Sequence, residues 1–189
     1  MPSRAIRWTS ISLGALLAFM PPHAPALSVQ TLEASLRDGV YRIEFVARVD
    51  APVESVAAVL TDYPSYRGLD PRIRASAVLP SDEQGGELVR TVVRACAGFF
   101  CRNVERVERV ERHDGELLAT VIPERSELKR GTTRTTWRAA DEATSVTYQA
   151  EFVPDFWVPS AIGRRYAVRA LEASTLELFG NVEKRARER

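Results

Sequence analysis

The sequence predicts an α+β domain in which one long helix packs on one face of an antiparallel sheet. Residues 40–49 alternate between apolar and charged side chains, which is the period of two expected of a half-buried strand. Several short runs rich in valine and threonine follow, separated by turn residues. Residues 160–187 instead carry apolar residues at helical spacing. Strands followed by a terminal helix indicate this fold class.

The first predicted strand, residues 40–49, leads into two short helices. Asp50 ends the strand and is expected to cap the next helix, where Pro52 is tolerated in the first turn. The apolar repeat of this helix is formed by Val53, Val56, Ala57, Val59 and Leu60. Tyr63-Pro64 closes it, because a residue before proline avoids the α region. Residues 28–36 precede the strand as a lead-in, with an extra strand as one alternative.

Six more strands are predicted, over residues 73–79, 88–96, 101–112, 117–122, 129–139 and 146–152. The run from Val104 to Arg112 repeats Val-Glu-Arg three times, and a period of three also suggests a helix. Nine residues make only about two and a half helical turns. The turn signal His113-Asp114-Gly115 follows directly, so we predict a twisted strand in a hairpin.

The last element is predicted as one helix from residue 160 to about residue 187. A stiff link with two aromatic residues, Phe156 and Trp157, leads into it between Pro154 and Pro159. The predicted apolar face consists of Ile162, Tyr166, Ala170, Ala173, Leu176 and Phe179, broadened by Leu171, Leu178 and Val182.

Length and composition indicate one globular domain behind an export signal. The chain has 189 residues, 45% hydrophobic residues and a formal net charge of +1, which argues against nucleic acid as a partner. Residues 1–26 combine an arginine-containing start, an apolar run and small residues at 24–26, as a cleaved secretory signal does. A retained membrane anchor is the alternative, but the run is short for a span. We therefore expect a single domain over residues 27–189, exported to the periplasm.

Cys96 and Cys101 are the only two cysteines. In an oxidising compartment such a pair tends to bond, and four intervening residues including Gly98 permit a hairpin. We predict a disulfide that holds Phe99 and Phe100 at the loop tip. Two separate buried thiols are the alternative.

Catalytic and metal-binding motifs are missing from the sequence. The predicted mature chain has one histidine, His113, and no cysteine and histidine spacing typical of zinc. No nucleophile elbow, P-loop or dinucleotide fingerprint occurs. We therefore name no catalytic residue, no metal and no cofactor.

Two short motifs carry a family resemblance: Val49-Asp50-Ala51-Pro52 and Val59-Leu60-Thr61-Asp62-Tyr63. With the long C-terminal amphipathic segment, they resemble the START-like (SRPBCC) superfamily, and within it the polyketide cyclase/dehydrase and coenzyme Q-binding group. The resemblance covers about residues 38–185. It implies the helix-grip fold, a curved antiparallel sheet wrapped around the long helix, with a pocket for an apolar ligand between them.

Aromatic residues are the best candidates to line that pocket, although aromatic stripes more often belong to a core. The resemblance places Phe99, Phe100, Phe156 and Trp157 at the cavity mouth. The full candidate set is Tyr63, Tyr66, Phe99, Phe100, Trp137, Phe152, Phe156, Trp157, Tyr166 and Ala170. Polar candidates for holding a head group are Arg94, Arg134, Asp62 and Asp155, and none is preferred.

These observations favour an exported binding or carrier protein for a hydrophobic small molecule such as a lipid, quinone or polyketide. One alternative is an enzyme of the cyclase or dehydratase type that uses the same cavity. Another is an interaction module whose cavity is filled by its own side chains. A transient membrane contact and the oligomeric state are left open.

Overall fold

The computed structural model describes residues 27–97, 100–158 and 160–189. Their strands are β1 (Ser28–Arg37), β2 (Val40–Val49), β3 (Ile73–Leu79), β4 (Glu87–Ala97), β5 (Phe100–His113), β6 (Glu116–Val121), β7 (Leu128–Ala140) and β8 (Ala143–Pro154). The helices are α1 (Val53–Leu60) and α2 (Ser160–Arg187), with 3-10 turns at Tyr63–Gly68 and Pro123–Arg125. The lead-in is thus a full strand, β1, and the predicted signal, residues 1–26, lies outside the described residues.

The eight strands form one antiparallel sheet in the order β1-β2-β8-β7-β6-β5-β4-β3. Chain neighbours are sheet neighbours except where β2 pairs with β8. Helix α2 packs against α1 and against β1, β2 and β4. The predicted α+β class and the helix-grip architecture, with a curved sheet around a long C-terminal helix, are confirmed.

Strand β2 shows the predicted alternation, with Phe45, Ala47 and Val49 fully buried. The expected cap of α1 is wrong. Helix α1 begins after Pro52 without a side-chain cap, because the Asp50 carboxylate accepts a hydrogen bond from Arg187 Nη2 at 2.6 Å. That contact ties the start of α1 to the end of α2.

The Val-Glu-Arg repeat is a strand, as predicted, and not a helix. A period of three puts Val104 and Val110 on one face of β5 and Val107 on the other. All three are buried. Beside Val107, Ser126 Oγ accepts a hydrogen bond from the Val107 amide at 2.9 Å and donates one to its carbonyl at 3.1 Å. A repeat that looks helical therefore fits a strand with two covered faces.

The predicted apolar face of α2 is correct toward the C-terminus and only partly correct before it, where Ala170, Leu171 and Leu178 face the sheet as predicted. Phe179 and Val182 are buried in the core, whereas Tyr166, Ala173 and Leu176 are exposed. The side of α2 that faces the sheet runs through Ala167, Ala170, Leu171, Ser174, Thr175 and Leu178. Small and hydroxyl side chains on that side carry little hydrophobic signal, so the sequence pattern favoured the larger exposed residues.

Candidate ligand-binding cavity

A cavity of about 400 Å³ lies between the first half of α2 and the sheet. Its size falls within the range of small-molecule pockets, about 300–1,000 Å³. The space exists because α2 presents Ala167, Ala170 and Ser174 here, while one and a half turns farther on Phe179 fills the gap completely. The change from small to large side chains along one helix leaves the cavity open at one end and closes it at the other.

One wall of the cavity is aromatic. Tyr41 of β2 lies directly opposite Phe152 of β8 in the sheet register, and their rings stack with centroids 5.2 Å apart. Cross-strand aromatic pairs of this kind stabilise a sheet and hold each other in place. The other wall is aliphatic, with Ile73, Val93 and Val104 from β3, β4 and β5. The lining is therefore predominantly apolar.

The mouth of the cavity is built from the link between β8 and α2. Phe156, Trp157 and Val158 of this link line it, together with Cys96 of β4. Arg102 lies over the Phe156 ring with its Cζ 4.2 Å from the centroid, and it also pairs with Glu127. Trp157 is 75% exposed although it lines the mouth.

The predicted disulfide is present at the same end: Cys96 and Cys101 are bonded and lie opposite each other in the β4–β5 register. It joins the two strands next to the cavity mouth. Phe99, which the bond was expected to position, lies outside the described residues, as does the side chain of Phe100.

Charged groups line the cavity as well. Among the described residues, four arginines line it, namely Arg72, Arg94, Arg102 and Arg106, together with one carboxylate, Asp70, which pairs with Arg72 at 2.8 Å. Next to Arg106 lies the buried Glu108, and Arg106 Nε is 3.2 Å from Glu108 Oε2. The negative charge of Glu108 raises the pKa of Arg106, so the guanidinium remains a cation although the side chain is partly buried.

Tyr148 is the titratable neighbour of this pair. Burial raises the pKa of the Tyr148 hydroxyl, and the positive charge of Arg106 opposes that shift. Tyr148 therefore lines the cavity as a neutral hydroxyl. Sequence reasoning missed both Arg106 and Glu108. A signal was present, because a period of two along β5 places them on the same face as the buried Val104 and Val110.

The structure brings four of the candidate residues together at the cavity: Phe152, Phe156, Trp157 and Ala170. Tyr63 and Trp137 lie in the hydrophobic core instead, and Tyr166 is exposed on α2. Tyr66 packs against the core, and its hydroxyl donates a hydrogen bond to the Leu60 carbonyl at 2.5 Å. These four aromatics stabilise the fold or face solvent, and none of them lines the cavity.

Among the polar candidates, Arg94 lines the cavity. The other three pair on the surface: Arg134 with Glu116, Asp62 with Arg189, and Asp155 with Lys129. Surface ion pairs of this kind contribute little to stability. None of these three residues lines the cavity.

In residues 27–97, 100–158 and 160–189, no three histidine, cysteine, aspartate or glutamate side chains are grouped as metal ligands would be. Within the same ranges, no helix has both the length and the hydropathy needed to span a bilayer.

Solved structures share this fold at low sequence identity. A START superfamily protein from Mycobacterium smegmatis has a TM-score of 0.60 at 16% identity, over 76% of this chain and 97% of that one. The Zhui aromatase/cyclase from Streptomyces sp. R1128 has a TM-score of 0.57 at 17% identity, over 79% and 95%. A STAR-related lipid transfer protein from Xanthomonas axonopodis has a TM-score of 0.57 at 17% identity, over 81% and 98%.

No curated protein matches the chain in sequence. A family model does match, over residues 41–186, from β2 to the last turn of α2. That range includes the stacked aromatic wall, the arginines of β5 and the whole cavity-facing side of the long helix. The protein is therefore a member of the polyketide cyclase/dehydrase and lipid transport family.

Proposed function

We propose that this protein binds a hydrophobic small molecule, such as a lipid, quinone or polyketide, in the cavity between α2 and the sheet and carries it outside the cytoplasm. One observation carries the proposal: a cavity of about 400 Å³ with a mainly apolar lining stays open next to a fully packed core. Burying an apolar ligand gains about 25 cal/mol per Å² of surface removed from water. A ligand of modest size therefore binds without a covalent anchor.

The family and its structural neighbours support this role. The family description includes lipid transport, and a neighbour of the same fold is a lipid transfer protein. The apolar N-terminal run of residues 8–20 supports export. The interaction-module alternative requires a cavity filled by the protein's own side chains, and the open cavity speaks against it.

An enzyme of the cyclase or dehydratase type is the second candidate. The observation that favours it is that the Tyr148 hydroxyl, a neutral proton donor, and the Arg106 guanidinium, a cation whose charge acts on that hydroxyl, both line the apolar cavity. A carrier and an enzyme differ in the molecule that the protein releases. A carrier returns its ligand unchanged, whereas a dehydratase returns a product lighter by one water.

The decisive experiment is native mass spectrometry of the protein purified from its own cell envelope, followed by solvent extraction and mass measurement of the bound molecule. We expect a complex with one apolar ligand that the extraction releases. Protein that is free of ligand, and that also fails to bind a neutral apolar fluorescent probe, would contradict the proposed function.

Trp157 suggests how a ligand enters and leaves. The side chain stands at the mouth and is 75% exposed, and tryptophan is favoured where one side is apolar and the other wet. We infer a transient membrane contact through Trp157. Lipid vesicles should shift the tryptophan emission of the wild-type protein to shorter wavelength, and the Trp157→Ala variant, which keeps Trp137 as an internal reference, should show no shift.

A further inference from the structure

The inner end of the cavity holds a cation whose hydrogen-bonding capacity is unused. Arg106 lines the cavity, and 32% of its side-chain surface is accessible. Its Nε is buried and has no hydrogen-bond partner, and its guanidinium donates no hydrogen bond to any residue in the part of the chain that the structure describes. Guanidinium carries five N–H donors, and burying donors without acceptors is costly. The site therefore calls for an acceptor that the protein does not supply.

The partner of Arg106 does not meet this need. Glu108 Oε2 forms an ion pair with Arg106 Nε at 3.2 Å, but without hydrogen-bond geometry. Glu108 also does not line the cavity. The two terminal nitrogens are thus left for another group. A planar guanidinium matches a carboxylate or phosphate with two parallel hydrogen bonds.

Most of the other charged residues described in the lining are also cations, like Arg106. Arg102 also lines the cavity with a buried Nε that has no hydrogen-bond partner, and Arg94 forms no ion pair with any described residue. The acids that pair with Arg102 and Arg106, Glu127 and Glu108, stand outside the lining. Arg102 and Arg106 thus line the cavity while the carboxylates that pair with them do not, and the one carboxylate among the described lining residues, Asp70, is paired with Arg72. An anion inside the cavity therefore has more cations than carboxylates around it.

The spacing of Arg102 and Arg106 along β5 indicates how a ligand would be oriented in the cavity. Arg106 lies four residues from Arg102, about 13 Å at the rise of an extended strand, with Val104 between them. Arg102 stands at the mouth against Phe156, so Arg106 is the inner of the two. An apolar chain that begins at Arg106 runs past Val104 and Phe152 to the aromatic mouth.

We infer that the ligand is an amphipathic molecule with an acidic head group, carboxylate or phosphate, that binds head-inward on Arg106. This rests on the proposed function, because it names the chemical class that the proposed cavity takes. The family match and the apolar lining alone suggest no head group. The unused donors of Arg106 and the arginines that line the cavity are what favour an acidic head group.

The test is displacement of a neutral fluorescent probe, N-phenyl-1-naphthylamine, from the full-length mature protein at ligand concentrations below micelle formation. The competitors are dodecanoic acid, dodecyl phosphate, methyl dodecanoate and dodecanol. Charge-assisted hydrogen bonds should let the acid or the phosphate displace the probe at a roughly tenfold or more lower concentration than the ester and the alcohol. The stronger of the two acidic competitors identifies the head group.

The variant Arg106→Met should remove this preference, so that the acid and the phosphate displace the probe no better than the ester and the alcohol do. Arg134→Met is the matched control, because Arg134 pairs with Glu116 on an exposed part of the sheet and does not line the cavity. It should keep the full preference. If Arg106→Met fails to fold because Glu108 loses its partner, the double variant Arg106→Met/Glu108→Gln removes both charges and carries the same expectation.

The outcomes separate the inference from the proposed function. Equal displacement by acid, ester and alcohol overturns the acidic head group while the cavity remains a binding site. A preference that survives in the Arg106 variants overturns the placement on Arg106. A neutral probe that does not bind at all overturns the proposed function, and this inference with it.

Discussion

The rings of Phe45 and Phe179 stack with their centroids 4.6 Å apart and an angle of 17° between their planes, and both side chains are fully buried. This contact joins β2 to α2 and closes the inner end of the space between helix and sheet. Replacing Phe179 with alanine should lower the free energy of unfolding by about 3–5 kcal/mol. Urea denaturation measures this, and Leu176→Ala, on the exposed side of the same helix, should change it by no more than about 0.5 kcal/mol. Equal losses in the two variants would contradict the packing described.

A larger side chain on the cavity-facing side of α2 should abolish ligand binding. Ala170→Trp should fill the space and prevent binding of the neutral probe, because Ala170 lines the cavity. Ala173→Trp is the matched control, since Ala173 faces solvent on the same helix. Probe fluorescence titrations of both variants, with circular dichroism to verify folding, distinguish them. A folded Ala170→Trp variant with unchanged affinity would count against a binding cavity.

The bond between Cys96 and Cys101 should be present in protein isolated without reductant. Intact-mass measurement should find two hydrogens fewer than in the reduced form, and neither thiol should react with iodoacetamide until a reductant is added. The bond closes a very short loop, so its loss should cost less than the roughly 3 kcal/mol expected of a fifteen-residue loop. Alkylation of both cysteines in untreated protein would show that the bond does not form in the cell.

The exported protein should begin near Leu27. The arginine-flanked apolar run and the small residues at 24–26 predict cleavage there. N-terminal sequencing of protein released from the periplasm reads this directly. An intact Met1 on a membrane-bound chain would instead establish a retained anchor.

The ionised carboxylate of Asp82 should stabilise the fold at neutral pH and lose this effect in acid. A hydrogen bond from the Arg109 side chain lowers the pKa of Asp82 to about 2, against about 3.9 in an unfolded chain. Because the folded pKa is the lower one, this contribution is fully present above about pH 4 and is lost as the pH falls toward 2. The stability difference between wild type and Asp82→Asn should therefore shrink over that window. Glu83→Gln, in the same exposed turn, is the control, and a difference that stays constant from pH 5 to 2 would refute the effect.

The fold could be predicted well from the sequence because, along most elements, the apolar residues recur at the spacing of the residues that are buried. The alternation in β2 and the turn signal after His113 located strands that the structure contains. The register of α2 could not be predicted in the same way. Its inward side is lined by small residues such as Ala167 and Ser174, because that side borders a cavity and not a packed core.

The candidate site was predicted only in part for a related reason. The family resemblance placed Phe156 and Trp157 at the mouth, ahead of the long helix, and both line the cavity. Tyr63 and Trp137 were selected by residue type alone, which does not distinguish a ring that lines a cavity from one that packs in a core. Arg106 was missed because it lies in a repeat where every third residue is arginine, although a period of two along β5 places it on the same face as the buried Val104 and Val110.

The pairing of β2 with β8 also bears on when the chain can fold. Arg42 and Glu151, which pair across these strands at 2.8 Å, are 109 residues apart in sequence. During synthesis the β1–β2 hairpin is made first, and it lacks its second neighbour until nearly the whole chain exists. Contacts over such distances slow folding. The sheet is therefore completed only after β8 has been made, and until then the edge of β2 that pairs with β8 has no partner strand.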